Sequence, residues 1–259
     1  MGKSVEAKFY LDRMSPFAET MFIDADCLVL NDLSALWELF GAHPVSAGGW
    51  RYLERGEQDE FVDVSFVLDH FQLDLLPKFN GGCYYFRRSP EASALFDTAR
   101  ELLAEAGSLR ISCFREGGFP DEPLFALAFA LRGLNLTNTG KCGMLTPVNS
   151  RGRIRLDVFA QKCSFRKLGI LVHPDIVHFP GGFRDSYAYQ REVLRLKHHF
   201  GLALPGIGER IGIYKRAAVF EVERIVFGLA GSVRDLVRPG ERARSADKFA
   251  AAMGASAKP

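Results

Sequence analysis

Apolar residues in the first half of the chain alternate between compact runs and helical spacing. The run ETMFIDAD predicts a buried strand that ends at two aspartates. The segment NDLSALWELF predicts a helix, capped by Asn31 or Asp32, with one apolar face made by Leu33, Leu36, Trp37 and Phe40. The segments HPVSAGG and DEFVDVSFVLDHF predict a short strand and another helix. Each change of spacing therefore indicates the end of one element and the start of another.

The same alternation continues to about residue 180. FNGGCYYFRRSP predicts a strand entered through a glycine pair, and LNLTN predicts a later one. A strong helix follows Ser89, with Pro90 at its first position and Gly107 after its end. FPDEPLFALAFALRG predicts a further helix, and residues 141–178 predict short strands and turns. Strands that alternate with helices favour an α/β sheet over a sandwich or a bundle.

The C-terminal part has a different pattern. In GERIGIYKRAAVFEVERIVFGLAGSVRDLV, apolar residues recur at helical intervals with basic residues between them. Such a helix could pack on the domain, lie on an anionic membrane or bind a partner protein. We therefore expect a domain over residues 1–200, a basic amphipathic extension over 201–240 and a disordered tail over 241–259.

Composition narrows the class of protein. The 259 residues are 47% hydrophobic and 25% charged, which is typical of a soluble globular protein. From residue 181 onward there are 14 basic and 8 acidic residues, so the basic excess lies in the tail. Because these residues cluster in an apolar helix without a recognition motif, we do not expect nucleic acid to bind. Five scattered cysteines, no signal peptide and no apolar stretch of membrane-spanning length predict a cytoplasmic protein.

Asp24 and Asp26 are the strongest candidates for chemistry. Two carboxylates this close repel each other, and burial adds to the cost of ionising them unless a cation lies between them. Open α/β sheets bind ligands at the carboxyl ends of their strands. A pair of hard carboxylates there suits Mg²⁺ or Mn²⁺, with phosphate oxygens completing the shell. Alone, the pair of aspartates is weak evidence for a metal site, since one aspartate of such a pair often caps the following turn.

Four segments together carry a resemblance: FIDADCLVLNDLSALWELF, FNGGCYYFRRS, PDEPLFALAFA and HFPGGFR, in this order. The chain resembles the family 8 glycosyltransferases, which include glycogenin and bacterial lipooligosaccharide galactosyltransferases, over about two thirds of its length. The resemblance implies an α/β fold of the GT-A type, with a mixed, mostly parallel sheet flanked by helices. It also implies retaining transfer of a hexose from a UDP-sugar, usually galactose or glucose, to a glycan or lipid-linked glycan acceptor.

The resemblance also assigns roles to residues. Asp24 and Asp26 would hold Mn²⁺, or Mg²⁺, against the diphosphate, and His178 would be the third protein ligand. Gly181 would let the backbone approach the diphosphate, and Arg184 stands where the family has lysine. Lysine and arginine both donate to phosphate, but arginine does so through a planar fork.

The remaining assignments concern the sugar. Asn80, Gly81 and Gly82 would line the sugar pocket, and Asp121 would accept hydrogen bonds from sugar hydroxyls. Glu122 stands where the family usually has glutamine. Each residue also has a structural interpretation: His178 could be a structural histidine, the glycine pair a turn, and Asp121 a helix cap.

The early position of the aspartates leaves two alternatives open. About two dozen residues precede Asp24, so we expect the family's N-terminal nucleotide-binding strands to be missing. FIDADCLVL also fits the first motif of haloacid-dehalogenase-type phosphatases, with Asp24 as nucleophile and Asp26 as general acid, although Leu28 replaces the usual threonine or valine. The second alternative is a truncated, non-catalytic domain that binds a glycan.

Overall fold

The computed structural model describes residues 6–114, 117–139, 143–237 and 239–253, and of 227–237 and 239–245 it describes the backbone alone. The chain forms two compact units. Unit 1 contains residues 1–23 and 34–139, and unit 2 contains residues 24–33 and 140–259. Both units combine strands with helices, so the predicted α/β class is confirmed.

Unit 1 is built around one antiparallel sheet. Its strand order is β1–β4–β3, with β1 at Glu19–Ile23, β3 at Val45–Leu53 and β4 at Leu76–Arg87. A 3₁₀ helix at Ala7–Tyr10 precedes the helices of this unit, which are α1 (Leu11–Met14), α2 (Ser34–Gly41), α3 (Val64–His70), α4 (Pro90–Glu105) and α5 (Asp121–Leu131).

The core of unit 1 is rich in aromatic rings. Phe9 stacks on Phe125 with ring centroids 5.2 Å apart, and Phe86 meets Phe96 edge to face at 5.1 Å. All four side chains are at most 2% exposed. The start of α4 is fixed by Ser89, whose hydroxyl accepts a hydrogen bond from the Ala92 amide at 3.1 Å, as the sequence predicted.

Unit 2 contains two small sheets. The first has the order β2–β9–β5, with β2 at Cys27–Val29, β5 at Met144–Leu145 and β9 at Ile176–His178. The second has the order β6–β7–β8 and is antiparallel throughout. Its strands are β6 (Ser150–Asp157), β7 (Lys162–Lys167) and β8 (Ile170–Val172), and the helices of the unit are α6 (Tyr187–His199), α7 (Ile207–Val237) and α8 (Pro239–Ala252).

Lys167, at the end of β7, is held without a carboxylate partner among the described residues. Its ammonium donates to the Thr146 carbonyl at 3.0 Å, the Thr146 hydroxyl at 3.3 Å and the Val148 carbonyl at 2.7 Å. Burial lowers the pKa of Lys167 to about 8. The lysine therefore ties β7 to the segment between β5 and β6 through neutral oxygens.

Several details differ from the sequence prediction. The described strand pairs are antiparallel except β5–β9, so the prediction of mostly parallel sheets is wrong. A helix between two strands does not make them parallel: α3 lies between β3 and β4 in the chain, and these strands pair antiparallel. LNLTN makes a single bridge, Thr137 to Gly48, instead of a strand. The tail predicted as disordered forms α8 as far as Ala252, where Phe249 is fully buried, and residues 254–259 lie outside the described part. None of the described helices is long and apolar enough to cross a bilayer.

Candidate metal and nucleotide site

The two aspartates of the DxD motif lie in a turn that leads into β2. The Cys27 amide donates to the Asp24 carbonyl at 3.0 Å, which closes the turn. The Phe179 amide donates to the Asp26 carbonyl at 3.0 Å, and Cys27 pairs directly with His178 across the β2–β9 ladder. The backbone of unit 2 thus holds the end of β9 beside the DxD turn.

This pairing brings the three predicted metal ligands together. The Nε2 atom of His178 lies 3.1 Å from Oδ1 of Asp26 and 3.8 Å from Oδ2 of Asp24. His178 is 8% exposed and the carboxylates are half-buried. Burial works to raise the pKa of Asp26, but the hydrogen bond and charge of His178, with the charge of Arg184, outweigh it and hold that pKa below its usual value.

These side chains fit a divalent cation. Carboxylates and imidazole are ligands that Mn²⁺ accepts. Two ligand atoms at right angles around an ion, each about 2.1 Å away, are about 3.0 Å apart. The separation of 3.1 Å between His178 and Asp26 matches that value, and it also suits a hydrogen bond.

Cys27 is a further group at this site that the sequence analysis did not select. One ligand atom from each of Asp26, Cys27 and His178 lies within 4.8 Å of the others. The Cys27 thiol also approaches the Met144 thioether, at 3.7 Å between the sulfur atoms. Cys27 directly follows the DxD motif, but only the β2–β9 pairing shows that it lies opposite His178.

Gly181 and Arg184 lie in a 3₁₀ helix at Gly181–Asp185 that follows β9. Gly181 has φ +54°, a left-handed conformation that favours glycine. The Arg184 Nε donates to the Gly181 carbonyl at 3.2 Å, and the side chain of Gln190 donates to the Arg184 carbonyl at 2.7 Å. Arg184 is exposed, and its charge acts on Asp26.

Tyr189 also belongs to this site, and no sequence motif marked it. Its ring packs against Phe179, with centroids 4.9 Å apart. Burial, and then the charge of Asp26, raise the pKa of the Tyr189 hydroxyl. Tyr189 therefore stays protonated beside the carboxylate.

The residues predicted to line a sugar pocket lie in unit 1. Asn80, Gly81 and Gly82 lie inside the long strand β4, so the alternative of a turn is wrong. The Asn80 side-chain oxygen accepts from the Gly82 amide at 2.9 Å. Both glycines are buried.

Asp121, the first residue of α5, faces Gly81. Its Oδ2 atom accepts from the Lys8 ammonium at 3.2 Å and from the Tyr84 hydroxyl at 2.9 Å. Lys8 also donates to the Gly81 carbonyl at 2.9 Å. The Asp121 carboxylate thus points to neighbouring side chains, and the helix start has no side-chain cap, contrary to the capping alternative.

Glu122 makes the second ion pair of this cluster. Lys78 lies 2.5 Å from a carboxylate oxygen of Glu122 and 2.7 Å from one of Asp59. Burial raises the pKa of Glu122 although Lys78 opposes it, whereas the two carboxylates raise the pKa of Lys78 against its burial. Lys8, Tyr84 and Lys78 carry no motif, so sequence reasoning missed them.

A cavity of about 520 Å³ in unit 2 contains none of the predicted site residues. It lies between α6 and α7, and its lining includes Phe159, Arg191, Arg195, Arg210 and Tyr214. Arg191 and Arg195 both pair with the fully buried Glu192. Two of the three arginines that line this cavity are therefore already paired within the fold.

No protein-family profile and no curated protein match the chain. Among solved structures, the chain is similar to the galactosyltransferase LgtC, crystallised with donor and acceptor sugar analogues. The two share 16% identity over 79% of this chain and 69% of that chain, with a TM-score of 0.45.

Proposed function

We propose that the protein is a metal-dependent, retaining glycosyltransferase of the GT-A type, which moves a hexose from a UDP-sugar to a hydroxyl of a glycan or lipid-linked glycan. The observation that carries the proposal is the convergence of His178 with Asp24 and Asp26. His178 is about 150 positions from the two aspartates along the chain, and the resemblance assigns all three residues to one metal.

Asp24, Asp26 and His178 would hold the cation, which when bound would neutralise charge on the departing nucleoside diphosphate. The lowered pKa of Asp26 keeps its carboxylate ionised at neutral pH. Arg184 would donate to the diphosphate with the N–H groups that Gly181 does not engage. Arg184 is exposed, so its guanidinium would become ordered when it donates charge-assisted hydrogen bonds to the diphosphate.

The phosphatase alternative is not favoured. It requires Asp26 to donate a proton to a leaving group, and a general acid works best when its pKa is raised. The pKa of Asp26 is lowered by His178 and Arg184. An ionised carboxylate cannot serve as that acid.

The roles proposed for Asn80, Gly81, Gly82 and Asp121 remain predictions. Lys8 and Tyr84 both donate to Oδ2 of Asp121, so the proposed sugar contact is assigned to the other carboxylate oxygen. That oxygen could accept from a sugar hydroxyl. A loss of donor binding in Asp121→Asn, with the fold retained, would support this role.

Contact with an anionic membrane is the last part of the proposal. Helix α7 exposes Ile207, Ile211, Val222 and Ile225, together with the basic Lys215. An apolar face flanked by positive charge suits the surface of anionic lipid. Co-sedimentation with phosphatidylserine vesicles, compared with neutral vesicles, tests it.

The experiment for the transferase is a calorimetric titration of UDP into the full chain, with and without Mn²⁺. We expect binding that requires Mn²⁺ and is lost in Asp26→Asn. Asp185→Asn is the matched control, because it removes a carboxylate of the same unit that is paired with Arg216 at 3.4 Å. Binding of UDP without metal, or unchanged binding in Asp26→Asn, would contradict the proposal.

A further inference from the structure

The metal site contains a soft donor that hard cations do not need. Mg²⁺ and Mn²⁺ suit oxygen ligands, whereas thiolate ligands favour Zn²⁺ and its substitute Co²⁺. The ligand atoms of Asp26, Cys27 and His178 all lie within 4.8 Å of one another, which is close enough for one ion. In the part of the chain that the structure describes, no other group of three such residues converges in this way.

The β-sheet register explains why Cys27 faces the site. Cys27 and His178 are directly opposite each other in the antiparallel β2–β9 pair. Side chains of directly opposed residues lie on the same face of a sheet, with Cβ atoms about 5 Å apart. A sulfur and a ring nitrogen on such a pair can reach a common point.

The third strand adds a second sulfur on this side of the sheet. Met144 pairs with Ile176, two residues before His178 on β9, and therefore shares its face. The contact of 3.7 Å between the Cys27 and Met144 sulfur atoms follows from this register. The surroundings of Cys27 are thus soft and partly apolar, unlike those of a site made only of oxygens.

We propose that Cys27 is a metal ligand, and that with Asp26 and His178 it gives this site a higher affinity for Zn²⁺-type cations than the carboxylate and imidazole alone would give. Asp24, whose carboxylate is 3.8 Å from His178, lies next to this set and not within it. On binding, the thiol proton passes to the buffer and the sulfur binds as thiolate. The proposal uses two residues of the proposed transferase site, but it does not depend on UDP.

Cobalt provides a direct test. Co²⁺ is titrated into the full chain without a histidine tag, and the near-ultraviolet absorption is recorded. A sulfur-to-cobalt charge-transfer band is expected in the wild type and in Cys113→Ser, which removes an exposed thiol of unit 1. The band should disappear in Cys27→Ser and persist in Met144→Leu, which removes only the thioether. No band in the wild type, or an equal band in Cys27→Ser, would overturn the proposal.

Zinc affinity gives the second measurement. In competition with a chromophoric chelator, we expect Cys27→Ser to lower the affinity for Zn²⁺ by at least about tenfold. Its affinity for Mn²⁺ should change less, because the carboxylate and imidazole remain. An equal loss for both metals would mean that the variant disturbs the site as a whole and that Cys27 confers no selectivity.

A third measurement needs no variant. The wild type is alkylated with iodoacetamide, with and without Zn²⁺, and its peptides are analysed by mass spectrometry. Zn²⁺ should protect Cys27 and leave Cys113 reactive. Cys27 that reacts equally in both samples would overturn the proposal.

The outcomes separate the metal proposal from the transferase proposal. A charge-transfer band without any metal-dependent UDP binding would keep the thiolate site and reject the transferase. UDP binding with Mn²⁺ that is unchanged in Cys27→Ser, in a protein without the band, would keep the transferase and reject the thiolate ligand.

Discussion

Gly81→Ala tests whether the buried Asp121 cluster fixes the structure of unit 1. A Cβ atom at Gly81 would lie 2.6 Å from Oδ2 of Asp121 and 3.1 Å from the Tyr84 hydroxyl. The first distance is shorter than real Cβ atoms show to any neighbour, so the carboxylate must move. It cannot move freely, because the same oxygen accepts hydrogen bonds from Lys8 and Tyr84.

The expected cost can be worked out from these contacts. Overpacking of a well-packed interior typically costs about 1–3 kcal/mol. Weakening a hydrogen bond to a charged group adds about 1.5 kcal/mol. Alanine also lowers the conformational entropy of the unfolded chain, which offsets about 0.4–1 kcal/mol of this loss of stability. We therefore expect Gly81→Ala to lower the free energy of unfolding of unit 1 by about 1.5–4 kcal/mol.

Urea unfolding followed by tryptophan fluorescence measures this value. The chain has two tryptophans, Trp37 and Trp50, and both belong to unit 1, so their signal reports on this unit. Gly107→Ala is the matched control: it follows α4, is exposed, and has no atom within 4 Å of the added carbon. We expect the control to unfold at the wild-type urea concentration or slightly above it.

A double-mutant cycle identifies the cause of the loss. If Gly81→Ala acts by displacing Asp121, then Tyr84→Phe should cost less in the Gly81→Ala background than in the wild type. If the effects of the two substitutions on the free energy of unfolding are additive, Gly81→Ala destabilises unit 1 by some route other than displacing Asp121. Ordinary surface substitutions change the free energy of unfolding by up to about 0.5 kcal/mol. If Gly81→Ala changes it by no more than that, the reasoning about this cluster is refuted.

Three further substitutions have defined outcomes. Ser89→Ala removes the cap of α4 and should lower the free energy of unfolding of unit 1 by about 1 kcal/mol, measured by the same fluorescence assay. Gly181→Ala forces alanine to adopt φ +54° and should destabilise unit 2 by about 1–2 kcal/mol in urea unfolding followed by circular dichroism. Lys167 has a folded pKa of about 8 against 10.5 unfolded, so the unfolded chain binds more protons between these values and stability should rise with pH there. The difference between the two pKa values limits this rise in the free energy of unfolding to about 3 kcal/mol. The oxygen acceptors around the ammonium favour its charged form and make the rise smaller. Lys167→Met should abolish the rise.

Each of these three substitutions has a matched control variant. Ser93→Ala, at an exposed position of α4, should leave stability within about 0.5 kcal/mol. Gly182→Ala places its Cβ in ordinary contact with Phe220, at 3.7 Å, and should be tolerated. Lys162→Met, at an exposed position of β7, should keep the rise with pH. A flat pH profile in the wild type would show that Lys167 does not release its proton in this range.

Local signals in the sequence predicted the elements that local forces determine. Ser89 and Pro90 fixed the start of α4 because a cap and a restricted φ act within one turn. The apolar spacing between 207 and 237 predicted α7 for the same reason. The residues predicted to bind a metal were selected from their chemistry and order, and the structure places His178 beside Asp26 of the DxD turn.

What the sequence could not predict depends on distant pairing. The Cys27–Met144 contact arises from the order β2–β9–β5, which no local pattern encodes. The glycine pair Gly81-Gly82 suggested a strand entrance or a turn, but Asp121 on a separate helix requires a small residue inside β4. The tail composition suggested disorder, and burial of Phe249 outweighs it.

The chain passes from unit 1 to unit 2 at Asp24, returns at Ser34 and leaves again after Thr139. Strand β2 therefore comes from an early segment but pairs with β9, after a loop of roughly 150 residues, for which closure is entropically costly. During synthesis, β2 cannot pair until β9 has been made, whereas residues 34–139 can already fold as part of unit 1. Unit 2 is thus expected to complete its sheet late in folding. A fragment that starts at residue 140 would lack both Asp26 and Cys27, however well the rest of it folds.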